Sequence, residues 1–103
     1  MLTDRVAIVT GASKGIGRVM SQFFAREGAK VICAARTEAL VHETVALVRD
    51  AGGEAIAVVA DASSEAGARA IVDAGRSAFG RVDTLVNNAG DGGPTRPKAG
   101  SGR

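Results

Sequence analysis

The residues best able to do chemistry in this chain are Thr10-Gly11-Ala12-Ser13-Lys14-Gly15-Ile16-Gly17. They follow an apolar run, Val6-Ala7-Ile8-Val9, and precede a helical pattern. Glycines in such a turn let the backbone approach an anion that a Cβ would hold off. The free N–H groups and the dipole at the start of the helix then hold the negative charge. A strand, a glycine-rich turn and a helix N-terminus together form a phosphate cradle, which points to a nucleotide cofactor. The spacing is G-x-x-x-G-x-G. It is neither the dinucleotide pattern G-x-G-x-x-G nor a Walker loop, which requires G-x-x-x-x-G-K-[ST]. Taken by itself, the same turn also serves as a tight strand-to-helix connection.

The elements that must position this turn follow from periodicity. Apolar runs predict strands at about 5–10, 30–35, 55–60 and 84–87. The second, with Val31, Ile32 and Cys33 consecutive, reads as buried on both faces. Three helical patterns lie between them. The first spans about 15–27, with Ile16, Val19, Met20, Phe23 and Phe24 as its apolar side, and Gly28 ends it. The second spans about 38–51. Thr37 is expected to cap it, and Leu40, Val41, Thr44, Val45, Leu47 and Val48 form its inward side. The third spans about 65–79 behind a Ser63 or Ser64 cap, with Ala68, Ile71, Val72, Gly75, Ala78 and Phe79 inward. Its charged residues Glu65, Arg69, Asp73 and Arg76 mark a solvated face. Strands spaced by about 25 residues with one helix between each pair require a parallel sheet with right-handed crossovers. The expected fold is α/β, a Rossmann-type doubly wound parallel sheet carrying only β-α-β-α-β-α-β, in strand order 3-2-1-4. It occupies residues 1–90. Residues 91–103 contain no large apolar side chain and are expected to form a polar, disordered tail.

Composition excludes several function classes. With 103 residues the chain forms at most one domain, and a net charge of +2 without a basic stripe gives no nucleic-acid footprint. The single cysteine, Cys33, rules out an internal disulfide and a multi-cysteine metal centre, and no His/Cys/carboxylate cluster supports any other metal site. Cys33 falls in a buried strand and reads as a core thiol. His42, the one histidine, lies on the second helix and reads as a surface residue. No apolar run reaches the roughly 20 residues that span a bilayer. No signal segment is evident at the N-terminus. A cytoplasmic protein without membrane contact is expected.

At this point the chain resembles a known family. Thr10–Gly17 is similar to the cofactor motif of the short-chain dehydrogenases/reductases, and Asn87-Asn88-Ala89-Gly90, at the end of the fourth strand, resembles their second signature. Asp61 stands after the third strand, where the family commonly has an acidic residue. The resemblance covers roughly residues 4–96 and implies NAD(P)-dependent oxidoreduction of an alcohol or carbonyl. It implies that Gly11, Ser13, Gly15, Ile16 and Gly17 line the pyrophosphate and lead toward the nicotinamide. Asp61 and the Ala62 backbone would meet the adenine. Asn88, Ala89 and Gly90 would lie against the adenosine-side ribose and the sheet centre, with Asn87 supporting the sheet.

Cofactor choice has its own physical argument. An NAD site places a carboxylate at the end of the second strand, about 20 residues past the glycines, to accept from the ribose 2′-OH. Here the stretch is Ala34-Ala35-Arg36-Thr37, with no carboxylate before Glu38. Arg36 suits a 2′-phosphate through charge-assisted contacts, and Lys14 supplies a second positive charge. NADP is therefore expected over NAD; the alternative makes both residues solvated cations.

In the family the acid–base group is a Ser and a Tyr-x-x-x-Lys pair downstream of the second signature. These 103 residues contain no tyrosine, and no catalytic residue is assigned. The chain is accordingly expected to be an incomplete one, limited to NADP(H) binding. The competing expectation is a non-catalytic partner that joins a full-length relative, or oligomerises, through an open edge at the fourth strand.

Overall fold

The apolar runs become strands and the amphipathic stretches become helices, in strict alternation. A computed structural model describes residues 3–13 and 15–87. In chain order these form β1 (Val6–Thr10), α1 (Gly15–Arg26), β2 (Lys30–Ala35), α2 (Glu38–Asp50), β3 (Glu54–Val59), α3 (Glu65–Phe79) and β4 (Thr84–Val86). The expected polar segment 91–103 lies outside the described residues. The four strands are parallel and ordered β3-β2-β1-β4, as the glycine-rich turn after the first strand led us to expect. This order puts β1 between β2 and β4, so the turn leaving β1 emerges at the middle of the sheet.

Two apolar cores sandwich the sheet. On one face Met20, Phe24 and Ala25 of α1 and Val41, Val45 and Val48 of α2 pack against Val9, Val31, Cys33, Ala35 and Ala55. On the other, Ile71, Val72 and Phe79 of α3 pack against Val6, Ile8, Ile32 and Ala34. Successive residues of β2 serve opposite cores, and Val31, Ile32, Cys33 and Ala34 are all fully buried. Side chains such as Ile32 each gain about 1.5–3 kcal/mol from that burial. Burial pushes the Cys33 thiol up to about 11, against a smaller opposing effect of its hydrogen bond with Ser21. It is a core thiol.

Four expectations about the helices need correction. In α2, Leu47, expected inward, is exposed, because the face on the sheet narrows to Val41, Thr44, Val45 and Val48. In α1 the buried positions are Gly17 and Ser21, flanked by Met20, Phe24 and Ala25, while Ile16, Val19 and Phe23 are exposed. The helix is rolled toward its small residues because Gly17 must sit directly on the turn. In α3, Ala68 and Ala78 are exposed. That helix lies mainly over β1 and β2, and its buried positions are only Ile71 and Gly75. Gly75 admits this close approach: a Cβ there would meet side-chain atoms of Ile32 and Val82 at 3.1 Å. Thr37 occupies the cap position of α2 but makes no side-chain cap bond. Its carbonyl accepts from the Val41 N–H at 3.0 Å instead. Ser64 does cap α3, accepting from the Gly67 N–H at 2.9 Å, and Gly80 closes that helix in the left-handed region at φ 83°.

β4 holds to β1 over three residue pairs, from Ala7–Thr84 to Val9–Val86, and its start is fixed by a charge. The Val6 N–H donates to Asp83 Oδ2 at 2.9 Å, and the Asp83 N–H donates to the Val6 carbonyl at 2.9 Å. Arg81 donates to Asp83 Oδ1 from Nε at 3.1 Å and from Nη2 at 2.7 Å. Arg81, then the Val6 amide, hold the Asp83 carboxyl below its ordinary value. A carboxyl depressed in the native state stabilises the fold above its unfolded pKa, near 3.9, and that contribution is lost as pH falls through the native value. Asp83→Ala is therefore expected to lower the thermal unfolding midpoint at pH 7. The gap to the unaltered chain should narrow as pH drops below about 4, in melts followed by circular dichroism. A gap independent of pH would mean that the carboxylate charge does not hold β4.

Candidate functional site

All the sequence-predicted site residues among those described gather at the C-terminal ends of the four strands. At the centre is the turn from β1 into α1. Gly11 takes φ 65° and Gly15 φ 58°, both in the left-handed region that favours glycine. A Cβ on Gly17 would overlap the Gly11 carbonyl and meet the Ala12 Cα at 3.0 Å. Helix α1 thus starts against the strand end with no room for a side chain between. Ala12 and Ser13 are buried, and the Ala12 N–H donates to the Ala34 carbonyl of β2 at 3.1 Å. Gly15 and Ile16 are exposed, and nothing lies within 4 Å of where a Gly15 Cβ would be. One side of the turn is packed and its crown is open. The first turn of α1 holds no acidic residue, so the positive end of its dipole faces outward without an internal counter-charge. These features fit a bound phosphate. Lys14 lies outside the described residues.

A polar network that sequence reasoning missed holds the turn from below. Thr44 of α2 is fully buried, and its hydroxyl donates to the Ala12 carbonyl at 2.6 Å. Arg18 Nε donates to Thr44 Oγ1 at 2.9 Å, and Arg18 Nη2 donates to the Ser13 carbonyl at 2.8 Å and to Glu43 Oε1 at 3.0 Å. The Leu40 carbonyl lies 3.2 Å from the same nitrogen. One signal was present in the sequence: a hydroxyl inside the apolar stripe of α2, since buried polar groups require partners. Arg18 gave none, because an arginine on an amphipathic helix reads as solvated.

The rim is built by the neighbouring strands. Arg36 follows β2 directly and is exposed. Asp61 follows β3, whose last turn is joined to β2 where the Ala60 N–H donates to the Ala35 carbonyl at 3.0 Å. Asp61 Oδ1 accepts from the Ser63 hydroxyl at 2.6 Å and from the Ser63 N–H at 2.9 Å. Those bonds, with the charge of Arg36 contributing, hold its carboxyl below the ordinary value. Ala62 is half-buried against the second core. On the other flank the Thr10 hydroxyl lies 3.3 Å from the Val86 carbonyl and 3.2 Å from Asn87 Oδ1, so the end of β1 is tied to the end of β4. Asn88, Ala89 and Gly90 lie outside the described residues. His42 stands on the exposed face of α2, its Nε2 3.8 Å from Glu38. Among the described residues no three His, Cys, Asp or Glu side chains are grouped to hold a metal ion, and no helix is long and apolar enough to cross a membrane.

Comparison with known proteins agrees with this geometry. The family model for short chain dehydrogenase matches residues 5–99. The chain belongs to the short-chain dehydrogenase family. An uncharacterised oxidoreductase of Methylorubrum extorquens is 47% identical to it over 90 residues, which is 86% of this chain and 36% of that protein. The crystal structure of a hydroxysteroid dehydrogenase from Escherichia coli matches with a TM-score of 0.85 at 39% identity, over 94% of this chain and 41% of the other. A metagenomic short-chain oxidoreductase crystallised with NADP matches with a TM-score of 0.79 at 38% identity, over 85% and 40% of the two chains. This short-chain dehydrogenase chain thus spans 25–36% of the length of the curated relatives it matches.

The contact at Gly17 gives a direct test. Gly17→Ala forces strand end and helix apart and is expected to cost about 2 kcal/mol or more, lowering the unfolding midpoint by roughly 10 °C. An unchanged midpoint would mean that α1 does not begin against the turn.

Proposed function

We propose that the C-terminal rim of this sheet binds a dinucleotide, NADP(H) in preference to NAD(H). In this reading Gly11, Ser13, Lys14, Gly15, Ile16 and Gly17 border the pyrophosphate, and Asp61 and Ala62 border the adenine. Arg36, with Lys14, takes the 2′-phosphate. Asn88, Ala89 and Gly90 border the adenosine-side ribose and the sheet centre. When bound, the nicotinamide supplies a hydride acceptor or donor for an alcohol or carbonyl carbon, the oxidoreduction proposed for the whole protein. The residues of this chain contribute grip and orientation: an open crown of backbone at the start of α1 for the anion, and a cation where NAD-type sites carry a carboxylate.

One observation carries the reading. Thr10 pairs with Ala34 in the sheet, so the glycine turn and Arg36 leave adjacent strands within two residues of that pair. A pyrophosphate cradle and a 2′-phosphate partner therefore stand side by side. The NADP held by the 38%-identical metagenomic relative supports the cofactor class. Arg36→Ala is expected to weaken NADPH binding about tenfold or more while leaving NADH within about twofold, measured by isothermal titration calorimetry on the full chain. Equal losses for both cofactors would contradict the 2′-phosphate assignment.

A further inference from the structure

The two phosphate positions in this reading sit on different elements, the glycine turn and the start of α2. Apolar packing of Met20, Phe24 and Ala25 with Val41, Val45 and Val48 brings α1 and α2 onto the same core. Sheet pairing and the Ala12 N–H bond to the Ala34 carbonyl tie the turn to the end of β2, but the apolar contacts between the helices are non-directional and do not fix α2 itself relative to the turn. A directional connection does. The Arg18 guanidinium is planar, and its Nε and Nη2 engage Thr44 Oγ1 at 2.9 Å and the Ser13 carbonyl at 2.8 Å together. Glu43, on the same turn of α2, holds the charge at 3.0 Å. Thr44 passes the connection on to the Ala12 carbonyl at 2.6 Å.

The consequence for the turn is geometric. In a trans peptide the N–H points opposite to the C=O. Fixing the Ala12 carbonyl toward Thr44 turns the Ser13 N–H away from α2. Arg18 fixes the next carbonyl in the same network. The same guanidinium is anchored to the segment of α2 that begins two residues after Arg36, since α2 starts at Glu38.

We propose that Arg18 is a positioning residue for the cofactor: it sets the spacing between the glycine turn and the start of α2, and so between the pyrophosphate and 2′-phosphate subsites. The inference rests on the reading of the rim as an NADP(H) site. Arg18 acts through Ser13, Thr44 and Ala12. Lysine cannot replace it, because a single ammonium on a flexible stem lacks the rigid fork that reaches two acceptors at once.

The test separates the whole ligand from a fragment that needs one subsite. Adenosine 2′-monophosphate reaches the Arg36 end alone, whereas NADPH must fit both ends. In calorimetric titrations of the full chain, Arg18→Ala is expected to weaken NADPH about tenfold while adenosine 2′-monophosphate stays within about twofold. Arg18→Lys should show the same split, and it carries the test alone if the alanine variant does not fold. Parallel losses for the two probes, or an undiminished NADPH affinity in a folded variant, would overturn the proposal. Failure of the unaltered chain to bind NADPH would overturn the reading of the rim, and this inference with it.

Discussion

Everything at the C-terminal rim depends on how closely α1 begins against the end of β1. With no side chain at Gly17, the first turn of the helix rests on the Gly11 carbonyl. That contact selects which side of α1 faces the sheet, and it leaves the small residues Gly17 and Ser21 buried while Ile16, Val19 and Phe23 are exposed. It also decides where the free amides of the helix start, because they emerge directly above the strand end. Apolar burial would have favoured turning Ile16, Val19 and Phe23 inward. Repulsion at sub-van-der-Waals distance is steeper than that gain, so the steric term fixes the roll of the helix.

Much of the fold was legible because it rests on period and punctuation. The strand–helix alternation, the limits of α3 and the doubly buried run Val31-Ile32-Cys33 all followed from apolar spacing and from glycines at helix ends. The order β3-β2-β1-β4 followed from the chirality of parallel crossovers together with the glycine turn. The errors share one cause: they concern interactions at right angles to the chain, which leave no periodic trace. The roll of α1 depends on a single contact between residues six apart, Gly11 and Gly17. The width of the α3 strip depends on which strands lie beneath it. Thr37 has the right residue type for a cap and the right backbone position, yet the cap bond is absent. At the rim, the positions of the turn and of Arg36 at the strand ends were legible. The Arg18–Thr44 connection was not, because its partners are backbone carbonyls, which every residue possesses.

The rim also has an electrostatic logic. Its open crown lies at the positive end of α1, and Arg36 stands at the end of the adjacent strand. Asp61, after the next strand, accepts from Ser63, which donates to it from both hydroxyl and amide. The two charges of the Arg18 network, Arg18 and Glu43, are managed differently. Arg18 is turned under the turn toward Glu43, where it shapes the backbone rather than meeting a ligand. In the proposed reading, backbone amides and Arg36 serve recognition, while the Arg18 guanidinium serves construction.

The central claim is that the crown of the glycine turn and the Arg36 rim bind one ligand together. Amide chemical-shift mapping of the full chain during titration with NADPH tests it most directly. The account predicts shifts concentrated at Ala12, Ser13, Gly15, Gly17 and Arg36, with Gly52 and Gly80, which lie toward the N-terminal ends of β3 and β4, unmoved. Shifts centred instead on the groove between the C-terminal ends of α1 and α2, at Gln22, Arg26 and Gly53, would contradict it.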